Sequence, residues 1–268
     1  MKKLIVIFVS VLSLAVIIAG KVHWDSKIEA TTKAESQLKN SKAEGISGKD
    51  ASDKKKGETP KEDLIAYTKN LPEEVVSKIE LAIQSKEPLK LVIMGSASTP
   101  EDPNGWPTLF KQELENTYGK DVFEVSIHEY PNLTSETVVT EELYQEVIDL
   151  KPDVLLLEPF ILADNGLVTM DDRLENLTTM LTDFYNQLPE LTVLLQPANP
   201  LLKATYYPNE VQELKGFAEQ NGYIYLDHWT AWPDHQTDDI EDYLVDGLPS
   251  EKGHKVWADY LINYFVAK

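Results

Sequence analysis

The chain has 268 residues and no cysteine. Disulfides, thiolate nucleophiles, zinc–thiolate sites and a thiol-linked lipid anchor are therefore excluded. Arginine is almost as scarce, with Arg173 the single one. One guanidinium argues against a dedicated phosphate clamp. The five histidines form no spaced cluster with acidic residues that reads as a metal site, so neither a metal nor another cofactor is expected. No internal repeat is visible.

Positive charge is also unevenly spread. The formal net charge is −20. Residues 1–60 carry eleven lysines against seven acidic residues. Residues 61–268 carry fourteen basic residues against thirty-eight acidic ones. Such a surface repels nucleic acid and anionic polymers, so no nucleic-acid partner is expected.

The N-terminus has what the remainder lacks. Lys2 and Lys3 precede a 16-residue apolar run over residues 4–19. That order describes a signal peptide or a signal anchor. The run is slightly short for a full span of about 20 residues. The exit, Ile17-Ile18-Ala19-Gly20, lacks small residues at both positions of an A-x-A-type cleavage site. This favours an uncleaved anchor facing outward over secretion, with membrane contact through this segment alone. Residues 21–60 are rich in Lys, Ser, Glu, Asp, Ala and Gly, and poor in large apolar side chains. They cannot bury enough surface to offset their ordering entropy and read as a solvated tether. The folded domain is expected over residues 61–268.

That domain is organised around Lys90-Leu91-Val92-Ile93-Met94-Gly95-Ser96-Ala97-Ser98-Thr99. Four apolar residues stop at a glycine and small hydroxyl residues. The pattern reads as a buried strand feeding a tight turn. Further strands are expected at 122–127, 154–157, 191–195 and 223–226. Helical spacing marks 62–85 (with a new start at Pro72), 108–117, 136–150, 171–188, 210–220 and 250–265. Strands alternating with helices predict a three-layer α/β/α domain of flavodoxin-like type with a five-stranded parallel sheet. Ligand sites in such sheets lie at the carboxyl ends of the strands.

Three blocks then resemble the SGNH/GDSL hydrolases, over about residues 88–266. "VIMGSAST" with "NGWPTLF" resembles that family's first block, a strand ending in G-D-S-x-T with a nearby G-W-P. "KPDVLLLEPFILADNG" resembles its third block, G-x-N-D. "DGLPSEKGHKVWADYL" resembles its last block, D-x-x-H-P-x-x-x-G-H. The resemblance implies a serine esterase or acylhydrolase. The catalytic letters depart from the pattern. Ser96 stands at the family's aspartate, Ala97 at its nucleophile, Leu248 at its histidine and Val245 at its second aspartate. Ser135 replaces a usual glycine, and Asn165 lies beyond the expected asparagine.

Two expectations follow. In the first, the site has shifted. Ser96 or Ser98 is the nucleophile, His254 the base, Asp246 or Glu251 orients it, and Asn165 helps bind the oxyanion. Glu251 and His254 have i,i+3 spacing at a helix start. The partner would be a small-molecule ester or an acylated carbohydrate of the envelope. In the second, the domain is catalytically silent and binds a glycan or another envelope ligand. Asp227 and His228 read as a structural hydrogen-bonded pair. Trp229, Trp232, Tyr206 and Tyr207 read as core or rim packing, with stacking on sugar rings as the alternative.

Limited proteolysis of the full chain should remove residues 21–60 first and leave a core beginning near Lys61. Mass spectrometry of the fragments checks this, and cleavage spread through residues 61–268 would move the boundary.

Overall fold

The computed structural model describes residues 64–267. The apolar N-terminal run and the tether lie outside the described residues.

Runs of Leu, Val and Ile at the centre of the sheet, Leu91–Met94, Val154–Leu157 and Val193–Leu195, leave no face for solvent, which is the signature of strands covered on both sides. Five strands pair in parallel: β1 (Leu89–Gly95), β2 (Phe123–Glu129), β3 (Val154–Leu157), β4 (Thr192–Leu195) and β5 (Ile224–Tyr225), and the edge strand β2 alternates apolar and polar residues. Their order is β2-β1-β3-β4-β5. β1 is thus an interior strand, as its apolar run requires. The register aligns Met94 with Leu157 and Leu157 with Leu195. The residues just beyond that line, Gly95, Glu158 and Gln196, therefore stand side by side at one edge.

The strand alternation sorts the core into two layers. Leu91, Ile93, Leu156 and Leu194 pack with α1 (Glu73–Ser85), α2 (Trp106–Tyr118) and the C-terminal helix. Val92, Met94, Leu155, Leu157 and Leu195 pack on the other face. That face is covered by α3 (Ser135–Thr140), α4 (Gln145–Asp149), α5 (Met170–Gln187) and α6 (Tyr207–Asn221). Each fully buried aliphatic side chain contributes about 1.5–3 kcal/mol. The last helix, α7, runs over Glu251–Phe265.

Local chemistry sets the boundaries. Thr169 caps α5 by accepting a hydrogen bond from the Asp172 amide, with Asp171 and Asp172 in the first turn. Ser250 caps α7 by accepting from the Gly253 amide. Pro107 sits in the first turn of α2, where its missing N–H costs nothing.

Two features depart from the sequence reading. The expected helix over 136–150 is broken between α3 and α4, with Glu142 at φ 51°. The break turns Tyr144 into the core, where it is 2% exposed and donates to Asp183 Oδ2 at 2.5 Å. Burial of this ring outweighs the hydrogen bonds that a continuous helix would have kept. The second feature is a small hairpin, β6 (Leu244–Val245) with β7 (Leu248–Pro249). Its turn residues are Asp246 at φ 51° and Gly247 at φ 80°. Asp-Gly with both φ positive is the type I′ turn that two-residue hairpins prefer.

The hairpin region and α7 meet closely at Gly253. A Cβ there would lie 2.3 Å from the Tyr243 carbonyl oxygen and 3.0 Å from the Trp232 ring. Gly253→Ala should destabilise the domain by about 1–3 kcal/mol, because a backbone atom must move. Urea unfolding monitored by circular dichroism checks this, and an unchanged midpoint would show that α7 can slide at no cost.

Candidate functional site

The site forms where β1, β3 and β4 end. Leaving β1, the chain turns at Gly95. A Cβ on Gly95 would lie 2.4 Å from Thr99 Oγ1 and 2.9 Å from Glu158 Oε2, so only glycine fits. The Thr99 amide donates to the Ser96 carbonyl and closes the turn.

Glu158 holds that turn from the neighbouring strand. Its Oε2 accepts from the Ser96 amide at 2.7 Å, from Ser96 Oγ at 2.7 Å and from Thr99 Oγ1 at 3.3 Å. Its Oε1 is buried and has no protein partner. Burial pushes this carboxyl up to about 7, and the bonds from Ser96 and Thr99, with a weaker pull from the Phe160 amide, offset only part of that. Two residues on, past Pro159, Phe160 is buried at φ 62°, a left-handed conformation that is strained for a bulky residue.

Ser98 is held differently. Its Oγ donates to Asn199 Oδ1 at 2.9 Å, and the Asn199 amide donates to the Pro200 and Gly247 carbonyls. Its carbonyl accepts from Trp106 Nε1 at 2.8 Å. Ser98 therefore ties the loop after β1 to the loop after β4.

His254 lies on the first turn of α7 and does reach this edge. Its Nδ1 accepts from the Trp106 amide at 3.3 Å. Burial lowers its pKa and favours the neutral ring, and because Nδ1 accepts from the Trp106 amide the proton of that neutral ring is on Nε2. A ring in that tautomer has no lone pair on Nε2 to take a proton from a serine. The carboxylate that acts on it is Asp102, which raises the pKa slightly, and neither Asp246 nor Glu251 contributes.

The expected site residues are thus only partly brought together. Ser96 and Ser98 lie in the turn after β1 and are bonded to Glu158 and Asn199, while His254, on the first turn of α7, is bonded to the Trp106 amide. Asp246, Glu251 and Asn165 are exposed. Asp246 serves the hairpin turn, Glu251 opens α7, and the Asn165 amide donates to the Leu162 carbonyl. Asp164, the neighbour of Asn165, is the buried one, and its Oδ1 accepts from the Ser135 amide at 2.7 Å.

Asp227 and His228 do not pair with each other. Asp227 takes Lys215 at 3.0 Å. His228 Nδ1 accepts from Trp232 Nε1 at 3.0 Å, and its Nε2 meets the Pro197 carbonyl at 2.8 Å. Full burial lowers its pKa to about 3, which keeps it neutral. Its ring stacks 4.0 Å from Trp257, which stacks 4.6 Å from Trp106 on its far side. Trp257 Nε1 donates to Gln196 Oε1 at 3.0 Å, while Gln196 Nε2 is buried without a partner. Trp232 and Tyr207 are core residues, Trp229 is partly buried, and Tyr206 projects into solvent.

Glu158 and Gln196 were absent from the sequence-derived site. A single signal was available for each: a polar residue appended to an all-apolar strand, where the buried environment must continue. Among the described residues no group of three or more His, Asp or Glu is placed to hold a metal ion.

No protein-family model and no curated protein matches the chain. Solved structures do match. A G-D-S-L family lipolytic protein from Desulfitobacterium hafniense superposes with TM-score 0.51 at 19% identity, over 65% of this chain and 98% of its own. A Geobacillus acetyl-xylooligosaccharide esterase gives 0.55 at 15% identity, over 66% and 94%. A GDSL-like lipase from Bacteroides thetaiotaomicron gives 0.51 at 15% identity, over 68% and 89%. The chain has the SGNH/GDSL hydrolase fold.

The pH dependence of stability tests the burial of Glu158. Unfolded, this carboxyl titrates near 4.5, and folded near 7. Between those values the folded chain keeps a proton that the unfolded chain has released. The contribution therefore falls as pH rises from 4.5 through 7 and is flat above. His228 acts in the opposite sense, adding stability as pH rises from about 3 to 6.5. The clean measurement compares urea unfolding of the wild type and Glu158→Gln. From near pH 5 to near pH 8 the wild type should lose about 2 kcal/mol relative to the variant. Parallel profiles would mean that Glu158 is ionised throughout.

Proposed function

We propose that this chain is an SGNH-type hydrolase that uses Ser96 as nucleophile and Glu158 as general base on a small ester. The observation that carries the reading is the 2.7 Å bond from Ser96 Oγ to Glu158 Oε2 at the end of an interior parallel strand. A base with a pKa of about 7 is matched to proton transfer near neutral pH. Esterases and lipases among the solved structures with this fold support the reaction class by analogy.

The step begins with the Ser96 oxygen attacking the ester carbonyl carbon as its proton passes to Glu158. The leaving alkoxide takes that proton, and water later cleaves the acyl-serine. Ser96 is 2% exposed, so acylation requires the 96–99 turn to open towards solvent. Export to the cell envelope, with an acylated carbohydrate as substrate, is part of this proposal. Its support is the apolar run after Lys2 and Lys3 and the acidic surface that disfavours anionic polymers.

The bond from the Trp106 amide to His254 Nδ1 favours a second reading. With no histidine placed as base, the domain would bind an envelope ligand without cleaving it.

An aryl acetate assay with a serine-reactive phosphonate separates the two. Under the first reading the probe labels Ser96, and Ser96→Ala and Glu158→Gln each lower kcat/KM by ~10²-fold or more, with the double variant little worse. His254→Ala should cost far less than either. Labelling at Ser98, or a collapse of activity in His254→Ala, would replace the Ser96–Glu158 pair with the shifted triad. Glycan binding without any labelling would leave the silent domain.

A further inference from the structure

Two buried groups at the strand edge have no protein partner and complement each other: the acceptor Glu158 Oε1 and the donor Gln196 Nε2. We infer that these two groups hold one water between them, and that this water is the nucleophile that cleaves the acyl-serine. The catalytic half of this inference rests on the proposed hydrolase reading.

The placement follows from the ladder. The Glu158 amide donates to the Met94 carbonyl at 2.9 Å, and the Gln196 amide donates to the Leu157 carbonyl at 3.1 Å. Both residues thus extend their strands by one position. Parity puts their side chains on the face of Leu156 and Leu194, the face of α7. The bonds agree: Gln196 reaches Trp257 of α7, and Glu158 Oε2 lies within 2.9 Å of where a Cβ of Gly95 would project. Neighbouring strands are about 4.8 Å apart, so the two side chains are adjacent.

Orientation follows from the bonds already made. Trp257 Nε1 can only donate, so it fixes Gln196 Oε1 as the oxygen and Nε2 as the free donor. Glu158 Oε2 is occupied by three donors, so Oε1 is the free acceptor. Left dry, each would carry the full desolvation penalty of a buried polar group. A water satisfies both, since it accepts from one and donates to the other.

The chemistry balances. The water oxygen forms a bond to the acyl carbon, and the bond from that carbon to Ser96 Oγ breaks. The water's proton passes to Glu158 and from there to Ser96 Oγ, which restores the resting pair.

The test uses the full chain with an aryl acetate. Gln196→Met removes the donor, and with it the acceptor of Trp257 Nε1, at nearly the same volume, so the burst also reports whether the fold and acylation survive. The variant should still release a stoichiometric burst of phenol at the wild-type rate, while steady turnover falls at least about tenfold and acyl-enzyme accumulates by intact mass. Steady turnover equal to wild type would overturn the catalytic role. If the wild type gives neither a burst nor labelling, the hydrolase reading itself has failed. The water then stands or falls on a high-resolution crystal structure. Density bonded to both Glu158 and Gln196 supports the site, and a dry gap or a direct bond between the two overturns it.

Discussion

A single carboxylate oxygen, Glu158 Oε2, holds the business end of this domain in shape. It gathers the Ser96 amide, the Ser96 hydroxyl and the Thr99 hydroxyl into one point. Within the turn itself, among the described residues, the only other bonds are from the Thr99 amide to the Ser96 carbonyl and from the Ser98 amide to Ser96 Oγ at 3.3 Å. Two other oddities accompany this arrangement. Gly95 must lack a side chain, because its Cβ would meet Thr99 Oγ1 at 2.4 Å and the carboxylate at 2.9 Å. Phe160, two residues past the carboxylate, holds a left-handed backbone as the chain leaves β3. Strain at one residue and the desolvation of one carboxyl are tolerated together, and sites that do chemistry commonly concentrate such costs.

A second layer of constraint is aromatic. Trp257 lies between Trp106 and His228, one ring from α2 and one from the segment after β5. Each ring in the stack also has a polar duty. Trp106 Nε1 serves the Ser98 carbonyl, Trp257 Nε1 serves Gln196, and His228 bridges Trp232 and the Pro197 carbonyl. Pyrrole N–H groups buried in this way need partners, and here each partner is a residue of the strand edge. The packing of α7 on the sheet and the positioning of the polar edge are thus one set of contacts.

Much of this architecture was legible in the residues. Leu91, Val92, Ile93 and Met94 could only be a strand covered on both faces, and Val154 to Leu157 repeat the argument. The helix break at Glu142 was hidden, because local spacing favours continuity and only the tertiary burial of Tyr144 against Asp183 overrides it. The hairpin signal at Asp246-Gly247 was present in the letters, but a family resemblance drew Asp246 towards catalysis. Ser96 and Ser98 were correctly sent to the strand edge. Glu158 escaped notice because acidic residues are seldom fully buried. Nothing in a linear pattern announces that three donors from another strand await the carboxylate.

The aromatic stack has an optical consequence. Of the five tryptophans in the chain, Trp106, Trp229, Trp232 and Trp257 all lie within the polar edge or its immediate supports, and Trp24 belongs to the N-terminal segment. The helices on the opposite face of the sheet carry none. The intrinsic fluorescence of the folded domain therefore comes almost wholly from one end of the molecule. It is a built-in reporter for whatever enters there, and it is nearly blind to events elsewhere on the domain.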